Sequence, residues 1–215
     1  MFEALPAWPL LLAFSLASLV LAATPGPGVL YIVTRTLAQG RLAGLASVAG
    51  VAAGNFGNAL GASLGVAAFF ALSPLAFTLL RFAGGAYLVW LGWKALRASR
   101  GVAPPAAFQA PGLGSMVRDG FWVALLNPKT AIFFAAFLPQ FMHPQGSVMV
   151  QSVLFGAAFV LIAAATDSAY VWTADLVGPA LRGRVGAAAL GRYASAAVYI
   201  VLGAYAAFSG ALGMA

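Results

Sequence analysis

A chain of 215 residues with four acids and one histidine has few groups that can move a proton. Only one acid, Asp167, lies deep in an apolar run, between Thr166 and Ser168. A carboxylate there can relay a proton, attract a cation, or neutralise a buried base such as Lys129 or Arg81. Asn127-Pro128-Lys129 sets an amide, a helix break and a cation within one turn, a cluster suited to a carboxylate. Lys129 has a second reading, in which its long stem snorkels to the membrane face. Thr24-Pro25-Gly26-Pro27 is another break: each proline removes a backbone donor and displaces the carbonyl four residues earlier, and Gly26 admits dihedrals that other residues avoid. Such a break is either a structural kink or, since irregular backbone at membrane depth must be buried by protein or line a wet cavity, part of a site. Pro25, Gly26, Pro27, Asn127, Pro128 and Lys129 are therefore candidate substrate-binding residues. Asn55 and Asn58 join them, as amides that bind either substrate or a neighbouring helix. Asp167 is the candidate for proton or cation coupling.

The same inventory excludes other chemistry. Without cysteine there is no disulfide, thiolate metal site or cysteine nucleophile, and the lone His143 rules out a multi-histidine centre. No catalytic residue, metal or cofactor is expected, and an enzyme is the weakest reading. A net charge of +7 could suggest nucleic acid, but 63% of residues are hydrophobic and only 7% charged, leaving no polar surface for a basic stripe. With a mean hydropathy of +0.97, the partner of this surface is a lipid bilayer.

The elements that must position these residues are membrane spans. Turn signals at Ser73-Pro74 and His143-Pro144-Gln145-Gly146 divide the apolar runs, and six spans follow, near 8–33, 42–70, 75–93, 121–142, 148–176 and 193–212. Nine of the eleven basic residues fall in alternate loops: Arg35 and Arg41; Lys94, Arg97, Arg100 and Arg118; Arg182, Arg184 and Arg192. The positive-inside rule puts those loops in the cytoplasm and both termini outside it. Arg81 lies within the third span and is read as structural, extending to the outer interface. Asp119 and Asp175 lie near the basic loops and are expected to form interfacial pairs. The N-terminal run lacks a basic leader and reads as a retained first helix. Trp8, Trp90, Trp93 and Trp122 mark span ends.

The expected fold class is thus all-α integral membrane: six transmembrane helices as two inverted three-helix repeats in a single membrane domain, 1–215. The first repeat covers 1–99, a cytoplasmic linker carrying Pro104-Pro105, Pro111 and Gly112 covers 100–118, and the second repeat covers 119–215. Three spans per half invert the second half relative to the first, so the break at Pro27 corresponds to that at Pro128. Both breaks lie ~12–15 Å from the cytoplasmic charges, at ~1.5 Å per residue.

Span two carries Gly50, Gly54, Gly57, Gly61 and Gly65, spaced 4, 3, 4 and 4, a single small-residue face for close helix packing. Asn58 and Asn55 lie about 40° and 100° from Gly54 on the helical wheel. This face motivates an alternative function, a non-transporting membrane subunit that docks a partner protein.

Taken in order, Thr24-Pro25-Gly26-Pro27, Gly50-Val51-Ala52-Ala53-Gly54, Gly85-Ala86-Tyr87-Leu88 through Leu91-Gly92, Leu126-Asn127-Pro128-Lys129 and Phe137-Leu138-Pro139-Gln140-Phe141 make the chain resemble the LysE/RhtB amino-acid exporters from end to end. The resemblance implies a multi-pass protein of the bacterial inner membrane that exports amino acids or close derivatives. It also implies proton antiport as the drive and a homodimer as one assembly. After the span-two glycine the family often carries an acid and, three positions on, a polar residue or histidine. This chain has Asn55 and Asn58 there, and a neutral amide cannot titrate, so coupling falls to Asp167.

Overall fold

The computed structural model describes residues 8–64, 73–97, 112–143, 146–182, 193, 196–201 and 203–204. Among them the chain is all-helical, with no strand: α1 (Trp8–Ala23), α2 (Pro27–Gln39), α3 (Arg41–Ser63), α4 (Pro74–Arg97), α5 (Leu113–Leu125), α6 (Pro128–Ala136), a 3-10 turn (Leu138–Phe141) and α7 (Val148–Arg182). Most of the expected linker and of the sixth span lies outside the described residues, as do the side chain of Arg81 and both termini.

Each break has a local cause. Residues before proline avoid helical dihedrals, and Pro27 then opens α2 at its first position, where its missing N–H is no loss. The axes of α1 and α2 differ by 50°. Asn127 caps α6, its Oδ1 accepting from Lys129 N at 3.0 Å, with Pro128 at the first helical position. Here the bend is 55°. Gly40, at φ 87°, closes α2 and lets α3 begin at once, a left-handed turn that favours glycine.

Among the described residues, length and composition qualify one unbroken helix, the 31-residue stretch Val148–Gly178, as a membrane span, and up to three spans if each bent pair counts as one. Burial is inverted relative to a water-soluble protein. Leu161, Leu176, Val20 and Trp172 are exposed, whereas Ser47, Asn55, Asp119, Asn127, Gln151 and Asp167 are buried. Several hydroxyls fold back on their own helices, as Thr36 Oγ1 does on Ile32 O and Ser47 Oγ on Ala43 O, both at 2.8 Å, whereas the buried Ser18 and Ser152 hydroxyls make no hydrogen bond among the described residues. Trp8, Trp90, Trp93 and Trp122 are all exposed. Lys94 and Arg97 stand over the rings of Trp90 and Trp93, at 4.9 and 4.1 Å.

α3 packs chiefly against α5 and α7. A Cβ added at Gly50 would collide with the Val117 carbonyl, and one at Gly54 with that of Phe121. At Gly120 on α5 it would meet Ser47 O at 2.9 Å. The glycine face at positions 50 and 54 is thus filled by α5 of the same chain. In the same manner Gly92 of α4 faces Ala196 and Ile200, so the C-terminal helical residues lie along α4.

α5 begins at Leu113, eight residues before the expected span and inside the segment expected as linker. The extension is tolerated because the charge it carries inward, Asp119, is matched by cations from three places in the chain. Two apolar clusters complete the core. One gathers Tyr31, Val51, Leu88, Val123, Val171 and Tyr199; the other is aromatic, built on Phe14, Phe133, Phe134, Phe155 and Phe159.

Candidate functional site

Between these clusters, where both broken helices meet α3 and α7, lies a cavity of about 50 Å³. One water needs roughly 10–15 Å³ by this measure, so the space suits a few waters or the charged head of a small molecule. Its apolar walls include Val29, Val51, Phe159 and Ala163; its polar lining is Thr24, Asn55, Asn127, Lys129, Thr130 and Asp167.

α2 and α6 both begin at the cavity. The first N–H groups of a helix have no partner within it, and Gly28, Val29 and Thr130, all in the cavity wall, donate to no acceptor among the described residues. Each helix start carries a partial positive charge, so two such ends in one small space favour an anion. Asn127 spends its oxygen on capping α6, while its Nδ2 makes no hydrogen bond among the described residues.

Among the described residues, the negative side of the cavity is a single side chain. Asp167 is 5% exposed and has no hydrogen bond and no ion pair within 4.0 Å among the described residues. It shares one stripe of α7 with Phe159 and Ala163, four residues apart each time. Its charge interacts with that of Lys129 without direct contact. Lys129 turns instead to the end of α1, where Nζ donates to Leu21 O at 2.9 Å and Thr24 O at 2.6 Å. Tyr170, one turn beyond Asp167, donates to Ala23 O at 2.9 Å.

Of the residues singled out from the sequence, Gly26, Asn55, Asn127, Lys129 and Asp167 come together around this cavity. Pro25, Pro27 and Pro128 shape the two breaks without lining it. Asn58 is turned to α5, its Nδ2 donating to Ala124 O at 2.9 Å, and so serves helix packing. Thr130 and Tyr170 were not anticipated. The cue for Tyr170 was its spacing of three from Asp167, which puts both on one helix face.

A second charged cluster lies apart from the cavity. Asp119 is 1% exposed and faces Arg35 at 3.4 Å, Arg118 at 3.5 Å and Lys94 at 3.7 Å. Tyr87 Oη donates to it at 3.4 Å, and Tyr31 Oη to the nearby Met116 O at 2.8 Å. The expected pairing of Asp119 with basic residues is present, but in a buried position joining α2, α4 and α5.

No solved structure matches the chain. A homoserine/homoserine lactone efflux protein of Salmonella typhimurium is 30% identical over 171 residues, covering 80% of this chain and 83% of that protein. An uncharacterized membrane protein of Vibrio cholerae is 29% identical over the same shares. The membrane protein YrhP of Bacillus subtilis, also uncharacterized, is 28% identical over 71% of this chain and 77% of its own length. The LysE type translocator profile matches residues 19–210, and this integral membrane protein therefore belongs to the LysE translocator family.

Proposed function

We propose that this translocator exports small zwitterionic amino acids or close derivatives from the cytoplasm, in exchange for protons. The observation that carries the reading is one cavity holding two helix N-termini, an unused amide donor and a lone buried carboxylate. Those groups complement the two charges of an amino acid. The substrate carboxylate lies against the N–H groups of Gly28, Val29 and Thr130 and the amide of Asn127, and the ammonium group faces Asp167. Lys129 contributes positive potential from its seat on α1 rather than a direct contact.

Apolar walls and limited volume favour a short, uncharged side chain. With a single acid in the cavity wall, a dicationic substrate lacks a second counter-charge. The efflux proteins among the relatives are named for homoserine and its lactone; the lactone keeps the ammonium group and offers a carbonyl in place of the carboxylate. Asp167 is also the coupling residue, releasing its proton to bind the amine and taking one up on the return. This reading carries the finer architecture with it: six spans in two inverted repeats, termini outside the cytoplasm, in a bacterial inner membrane, with a homodimer as one assembly.

The test is a metabolite profile of the medium around dipeptide-fed cells expressing the chain, Asn127→Ser or Asp167→Asn. Serine keeps the capping oxygen of α6 but removes the amide donors, so helix stability is little affected. Losing a hydrogen bond to a charged group costs about 1.5–3 kcal/mol, so N127S should slow export roughly 10- to 100-fold. D167N should abolish proton-coupled export. Unchanged media with well-inserted wild-type protein would refute amino-acid export, and full proton-coupled export by D167N would remove Asp167 from the mechanism.

A further inference from the structure

The carbonyls at the broken end of α1 have a chemistry of their own. A helix ends with carbonyls that have no donor in the helix and with a partial negative charge, and in a membrane no bulk water relieves either. At this end Val20 O accepts the Thr24 hydroxyl at 2.7 Å, and Ala23 O accepts the Tyr170 hydroxyl at 2.9 Å. Leu21 O and Thr24 O both accept from the Lys129 ammonium, and Leu21 O also takes a long bond from Thr24 N at 3.2 Å, leaving Thr24 O with the ammonium alone among the described residues. Ala22, whose carbonyl takes no hydrogen bond among the described residues, lines the cavity beside them. Carbonyls at an unwound, C-terminal half-helix end are the group that coordinates a small monovalent cation in broken-helix transporters. Here a cation is already in place, tethered to the chain.

The route of the tether supports this. Snorkelling would carry the Lys129 stem towards the membrane face; instead it crosses Gly26, where an added Cβ would meet Cδ at 3.4 Å and Nζ at 3.6 Å. The ammonium group thus ends on α1, the other half of the break that its own helix faces. Asp167, the nearest carboxylate along the cavity wall, does not claim it within 4.0 Å. Two of the three ammonium protons go to carbonyls, and Asp167 is left for a mobile cation.

We propose that Leu21 O and Thr24 O form a monovalent cation site that Lys129 fills from within the chain, so that the protein needs no dissolved cation at its first break. Lys129 is on this account a positioning residue: it holds α1 against α6 and keeps other cations out.

The test uses purified full-length protein and methylammonium, with choline at equal concentration as a salt too bulky for the site. Lys129→Ala exposes the carbonyls. Its melting temperature should rise by several degrees, saturably, with methylammonium and not with choline, while wild type responds equally to both salts. Lys129→Met retains the stem over Gly26 and serves where alanine does not fold. A variant that fails to accumulate in the membrane should be restored by methylammonium in the growth medium. No methylammonium-specific effect on either variant, or an equal one on wild type, overturns the proposal.

The flux arm alone rests on the transport reading. Wild-type export from proteoliposomes should be the same in sodium as in choline, and sodium-dependent wild-type export overturns the proposal as well. Absence of any wild-type export beside methylammonium-specific stabilisation of the variants would overturn the transport reading and leave the cation site standing.

Discussion

Asp119 and Asp167 are both carboxylates in an apolar chain, yet their surroundings give them opposite roles. Asp119 faces three cations and a tyrosine hydroxyl, and Asp167 stands in a cavity wall without a partner among the described residues. The sequence distinguished them only by distance from the basic loops, which identified Asp167 as the deep acid. It could not reveal that Asp119 is buried, because Arg35 and Lys94 are remote along the chain and reach it only through folding. Removing one member of a buried pair leaves an uncompensated charge and costs on the order of 3–5 kcal/mol. Asp119→Asn strands Arg35, whose side chain is 14% exposed, so it should lower the melting temperature in detergent markedly. Asn is nearly isosteric and keeps one acceptor, so an unchanged melting temperature would mean the cluster holds nothing together.

Helix breaks are the most legible elements of this chain, since proline chemistry acts locally: both expected breaks occur, at Pro25–Pro27 and at Pro128. Their bends of 50° and 55° were not legible, because these depend on what the freed carbonyls meet across the bundle. The start of α5 was hidden for the same reason, since Arg118-Asp119 reads as loop until its partners are known. The glycine face of α3 was legible as a packing surface, though not its occupant. That seam yields a matched pair of variants. Gly50→Ala drives a methyl into the Val117 carbonyl, and overpacking of this kind costs about 1–3 kcal/mol. Gly114→Ala, in the first turn of α5 with nothing within 4 Å of the new methyl, should be neutral to slightly stabilising, below the roughly 0.5–1 kcal/mol of a mid-helix site. Thermal denaturation of the two side by side separates close approach from backbone freedom; similar shifts would mean the α3–α5 contact is looser than the geometry shows.

At the scale of the molecule, composition alone set the class, because 63% hydrophobic residues need a solvent other than water. Burial of polar side chains and exposure of leucines agree with that. What composition cannot supply is the meeting of four elements at one cavity, which depends on contacts between residues more than a hundred positions apart, such as Lys129 with Leu21. The long helix α7 carries one wall of that cavity and has a bearing on the lipid. Its 31-residue apolar stretch is about 46 Å long at 1.5 Å per residue, half as long again as a hydrocarbon core of roughly 30 Å. Upright, it would protrude into headgroups and water; tilted or in a thicker bilayer, it is covered. Hydrophobic mismatch should therefore tune this protein: reconstituted in lipids of increasing acyl length, it should gain thermal stability as thickness approaches the helix. Equal stability across the series would mean that the ends of α7 stand in water. If the dependence holds, the membrane's own thickness, through the slant of a single helix, sets the angle at which Asp167 is presented to whatever enters the cavity.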